Sequence, residues 1–152
     1  MKLLRKSYFY FWLAPFYVVL TNYIINSRIE NSVINFNIHD TYFIIDETHA
    51  VALISAFLLS IGIIYYLFEK INIRLASVFT LTHTFITLVC ILIYPIGKLY
   101  YQLSNDFPLF DSQNSMDTMT ITLIGILVLA QFLFILNVIL STTRHYSKRK
   151  KT

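Results

Sequence analysis

With one cysteine, three glycines and three prolines in 152 residues, the chain lacks the raw material of several protein classes. Cys90 has no partner for an intrachain disulfide, and inside an apolar stretch it reads as a small core residue. No glycine-rich phosphate loop is present. Neither a nucleophile–base pairing nor a complete redox site can be read from the sequence, which argues against an enzyme acting on its own. Charge is scarce as well, at 13% of residues against 57% hydrophobic, and the mean hydropathy is +0.63. A soluble domain of this length cannot bury that much apolar surface.

What the sequence has instead is four apolar runs, at residues 8–25, 51–68, 75–94 and 119–140. Each is close to the ~20 residues that carry a helix across ~30 Å of hydrocarbon. The chain therefore reads as an all-α integral membrane protein: one four-helix domain over residues 1–152, with spans at about 8–25, 42–68, 75–96 and 118–141 and outer connections at 26–41 and 97–117. The first run follows Lys2, Arg5 and Lys6 as a signal peptide would. It is long and aromatic, however, and no small-residue cleavage pattern follows, so it reads as a retained helix.

Four spans put both termini on one side. Lys2, Arg5, Lys6, Lys70, Arg74, Arg144, Lys148, Arg149, Lys150 and Lys151 share that side, against Arg28 and Lys98 on the other. By the positive-inside rule both termini are cytoplasmic, and a bacterial inner membrane is the expected location. The basic tail RHYSKRKKT, coming straight after a span, is a topology signal and a contact for anionic headgroups, not a nucleic-acid site. Between spans two and three lie only residues 69–74, which predicts a tight antiparallel hairpin of helices.

Chemistry concentrates in residues 37–49, NIHDTYFIIDETH, which places two histidines and three acids at the mouth of span two. Such groups near hydrocarbon are paired, solvated in a cavity or used for chemistry. If span two starts near Thr41, capped by Asp40 or Thr41, then Tyr42, Asp46 and His49 share a face, Glu47 lies on the next one, and Asp46 can reach His49 at i, i+3. His39, Asp40 and Glu47, with His49 close by, suit Mg²⁺ or Mn²⁺, and the imidazoles admit Zn²⁺. Helix capping is an equal alternative for these acids.

Deeper in the membrane, Thr80, His83, Thr84 and Thr87 form a polar stripe at i, i+3, i+4, i+7, and span four carries Gln131 and Asn137. Interhelical hydrogen bonding is the preferred reading for the threonines and Gln131. His83 is either a haem or metal ligand or a neutral partner of a threonine or Gln131. In a symmetric hairpin it lies about 16 Å deeper than His49, too far for the two to share an iron.

The HDTYFII run resembles the signature of subunit I of the haem-copper oxidases, where His-Asp-Thr-Tyr leads into a helix carrying haem-ligating histidines. Tyr94-Pro95 and the TITLIG run opening span four resemble later parts of the same subunit, so the whole chain is similar to its last four helices. The resemblance implies that His39 and Asp40 match a magnesium-site pair beside haem propionates. It also implies that His49 matches the axial ligand of the low-spin haem. Glu47 stands where the high-spin haem ligand would be, and the copper ligands, the second low-spin ligand and the propionate-binding arginines have no counterpart, leaving Lys98 as the nearby cation. The implied function is a non-catalytic accessory or assembly component of a respiratory oxidase, with the lipid bilayer and oxidase-type membrane subunits as partners. The alternatives are a haem protein in which a twofold homodimer brings two copies of His49 to one iron, and the divalent-cation site at the outer interface.

Overall fold

The structure, a computed structural model, describes residues 6–27, 33–39, 41–104 and 110–149. In chain order the elements are α1 (Ser7–Asn26), β1 (Val33–Ile38), β2 (Thr41–Asp46), α2 (Glu47–Lys70), α3 (Ser77–Ser104) and α4 (Phe110–Arg149). All four helices are long and apolar enough to cross a bilayer, over Ser7–Asn26, Glu47–Lys70, Ser77–Tyr100 and Thr118–Ser147. Large apolar side chains such as Phe16, Leu53, Val78 and Phe85 point outward from all of them, as a lipid-facing surface requires.

The segment that leads into α2 is not an extension of that helix. Residues Thr41–Asp46 form a strand paired antiparallel with Val33–Ile38, in a register running from Val33↔Asp46 to Ile38↔Thr41. Tyr42, Phe43, Ile44 and Ile45 are aromatic and β-branched residues that favour an extended chain once a partner strand is at hand. After β1, His39 takes the left-handed conformation (φ 59°) that tight hairpin loops favour and that His tolerates better than most side chains. Helix α2 therefore begins at Glu47 and not near Thr41, and Tyr42, Asp46 and His49 do not share a helical face.

At the far end of α2, Asn72 (φ 60°) ends the helix in a left-handed cap. Ile73 N–H donates to Phe68 O and Asn72 N–H to Glu69 O, the two reversed bonds of a Schellman turn. The helices alternate in direction: Tyr8 at the head of α1 packs on Tyr66 late in α2, Glu47 at the head of α2 meets Lys98 late in α3, and Ala76 before α3 meets Asn137 late in α4.

The closest backbone packing is α1 on α2 and α3 on α4, with α1 also crossing α3. Gly62 allows the first of these: a Cβ there would lie 2.5 Å from Trp12 Cδ1 and 3.2 Å from Phe11 Cβ. The expected tight hairpin of α2 against α3 is not formed backbone to backbone, although their connection is short. Large rings hold the two helices apart, with Phe11 of α1 stacked on both Tyr65 of α2 and His83 of α3, each at 5.5 Å between centroids. Phe11, Leu58, Ile61, Tyr65, Ile91 and Phe134 are the centre of the core.

Candidate functional site

Two polar sites and a cavity organise the half of the bundle that carries the β-hairpin. The first begins with Asp46, which leaves β2 and caps α2. Its Oδ1 accepts from Thr48 N–H at 2.8 Å and His49 N–H at 3.3 Å, and also from the Thr48 hydroxyl. The Thr48 hydroxyl and backbone N–H hold the Asp46 carboxyl below the usual aspartate range. His49 Nδ1 lies 3.4 Å from the same carboxylate, the i, i+3 proximity expected from the spacing, and the imidazole is 81% exposed.

One residue earlier, Glu47 turns the other way. Its carboxylate is 4% exposed and accepts from Lys98 Nζ of α3, itself 10% exposed. An ion pair withdrawn from water at the edge of hydrocarbon persists only while both partners stay in place. Sequence reasoning left Lys98 as a nearby cation and missed the pairing. The signal was there: acids at the head of span two and a single base at the tail of span three stand at one membrane level.

Of the residues proposed for a cation, the structure separates Glu47 from His49, two positions apart on one helix and facing opposite ways. His39 sits at the exposed hairpin loop, and Asp40 lies outside the described residues. Among the described residues, no three His, Cys, Asp or Glu side chains gather to hold a metal ion.

The second site lies at mid-bundle. His83, fully buried, is stacked between Phe11 and Phe134, the latter at 5.1 Å. Tyr65 Oη lies 2.8 Å from His83 Nδ1, and His83 Nε2 lies 3.3 Å from Gln131 Oε1. Gln131 uses its own amide N–H on Leu127 O at 3.2 Å. Its oxygen must therefore accept from Nε2–H, and Tyr65 donates to Nδ1. Both ring nitrogens of a neutral imidazole are then spoken for, leaving no position for iron. Further along, Asn137 Oδ1 accepts from Ala76 N–H at 3.0 Å while its Nδ2 donates to Thr80 Oγ1 at 2.9 Å, capping α3 from across the bundle. The polar stripe is thus used in interhelical bonding at Thr80 and His83, and Thr84 donates to Thr80 O at 2.8 Å. Thr87 completes it with a buried hydroxyl that has no partner among the described residues.

Between these two levels the helices leave a cavity of about 410 Å³, running from Glu47 down to Gln131 and walled by all four helices. Compared with family models, curated proteins and solved structures, the chain matches none.

Proposed function

We propose that this chain is a non-catalytic integral membrane protein, an accessory or assembly component of a respiratory oxidase-type complex. In this reading it sits in a bacterial inner membrane with both termini in the cytoplasm. One observation carries the proposal. The buried charged, imidazole and amide side chains inside the spans are engaged within the chain itself: Glu47 with Lys98, His83 between Tyr65 and Gln131, and Asn137 on the head of α3. Groups committed in this way stabilise a scaffold and are not free for substrate chemistry.

The oxidase relationship is supported by the HDTYFII run and by what has become of its most divergent position. Glu47 stands where the resemblance calls for a haem-ligating histidine, and its carboxylate is held by Lys98. That is the arrangement expected of a scaffold that has replaced a cofactor contact with an internal one. The orientation is supported by the basic residues at the opposite end, where Lys6 lies over the Tyr8 ring at 5.8 Å and its ammonium is held above the usual lysine range by the hydrogen bond to Tyr8.

A second reading is favoured by His49 alone. Its Nδ1 side faces the Asp46 carboxylate, so Nε2 is directed away from the chain, as in imidazoles that a carboxylate orients toward a metal. Two copies related by a twofold axis would supply two axial ligands to one haem. A reduced-minus-oxidised visible spectrum of protein purified in mild detergent separates the readings. The accessory role predicts no haem band and comigration with other membrane subunits on a native gel. A haem band that disappears in His49→Ala would overturn it in favour of the second.

A further inference from the structure

The cavity below the hairpin has a shape that identifies its occupant. At mid-bundle, α2 and α4 meet through the Tyr65 and Phe134 rings, 5.1 Å between centroids. On the hairpin side of that contact, the cavity is lined by apolar side chains that are also exposed on the outer surface: Leu53, Ile54 and Phe57 on α2, Ile124 and Val128 on α4. The opening thus faces sideways, into the hydrocarbon. At the interface end the lining includes Glu47, whose carboxylate is held by Lys98.

Depth provides a second constraint. On α2 the lining runs from Glu47 to Phe57, and on α4 from Thr120 to Gln131. At ~1.5 Å per residue both walls are about 15 Å long, half of the ~30 Å hydrocarbon core. Water has little to bind inside, because the exposed lining is almost wholly apolar and Gln131 is committed to Leu127 O and His83. At about 410 Å³ the space is well over twice the ~150 Å³ apolar cavity that stays dry and takes up benzene. An apolar volume one leaflet deep and open to that leaflet fits a single hydrocarbon chain.

We infer that this cavity is a lipid site, holding one acyl chain of a phospholipid from the hairpin-side leaflet, inserted sideways between α2 and α4. The headgroup stays at the interface beside the hairpin, and the chain end reaches the level of Gln131. Cys90 and Leu123, buried at 5% and 9% exposure, form the inner wall. Lipid on the outer surface of the bundle does not reach them.

The test uses full-length protein in phosphatidylcholine vesicles doped with a phosphatidylcholine carrying a mid-chain diazirine on one acyl chain. After irradiation, adducts are mapped by peptide mass spectrometry. The site predicts adducts on Cys90 and Leu123 in addition to outward residues such as Leu81 and Phe85. Ile54→Trp and Val128→Trp, which fill the gap from opposite walls, should lower the inner-wall adducts several-fold and leave the outward ones unchanged. Adducts confined to outward residues in the wild-type protein would overturn the inference whether or not either variant folds. Inner-wall adducts that persist in the folded filling variants would overturn it as well, as would a stoichiometric quinone or other apolar cofactor that copurifies and blocks labelling.

Discussion

Replacing Lys98 by Met removes one partner of the Glu47–Lys98 pair and leaves a carboxylate at 4% exposure with no counter-charge. Breaking a buried pair from one side costs about 3–5 kcal/mol, because the remaining ion keeps its desolvation penalty and loses its compensation. Against a total stability of roughly 5–15 kcal/mol, that is a large share. At ~2–4 °C per kcal/mol for a chain of this size, Tm should fall by about 6–20 °C. Replacing both partners together, in Glu47→Leu/Lys98→Met, removes the penalty along with the attraction, and the double variant should recover most of the loss. The assay is thermal unfolding in mild detergent followed by circular dichroism, with Lys70→Met, an exposed lysine at the end of α2, as the control. A Lys98→Met melt within a few degrees of the control, or a double variant no better than the single, would refute a coupled buried pair.

Other outcomes follow from the same geometry. Asp46 has its folded pKa depressed by Thr48, so the charged cap contributes fully above the unfolded value of about 3.9 and is lost as pH falls through the lower folded value. Melts taken from pH 7 to pH 3 should therefore show a decline below about pH 4 that Asp46→Asn flattens, with parallel profiles above it. His83→Leu deprives the Tyr65 hydroxyl and the Gln131 carbonyl of their His83 partner and should cost about 1–3 kcal/mol in a thermal melt, part of which Tyr65→Phe restores. Gly62→Ala drives a methyl into Trp12 and should cost about 1–3 kcal/mol, with a shift in Trp12 fluorescence, the chain's one tryptophan. Gly125→Ala, whose added methyl meets open space, should leave both unchanged.

The sequence by itself determined the features that depend on composition and local spacing. Four helices follow from apolar runs of bilayer length, since hydrocarbon leaves the backbone no other way to satisfy its polar groups within one segment. The i, i+3 approach of Asp46 to His49 was legible because it is local, even though it arises at a helix cap and not within a longer helix. The use of Thr80 and Gln131 as interhelical partners was legible too, because a polar group in hydrocarbon has few alternatives.

Only the tertiary structure decided what depends on segments far apart in the chain. The run from Tyr42 to Ile45 is extended because Val33–Ile38 pairs with it. That choice moves the start of α2 to Glu47. Glu47 meets Lys98, 51 residues away, a pairing that no local spacing shows. The hydrophobic periodicity of α2 and α3 cannot show that Phe11 of α1 would stack on Tyr65 and His83 and hold the two helices apart. Nor can it show the lateral gap between α2 and α4, because a cavity is a property of how helices converge and not of what any one of them contains.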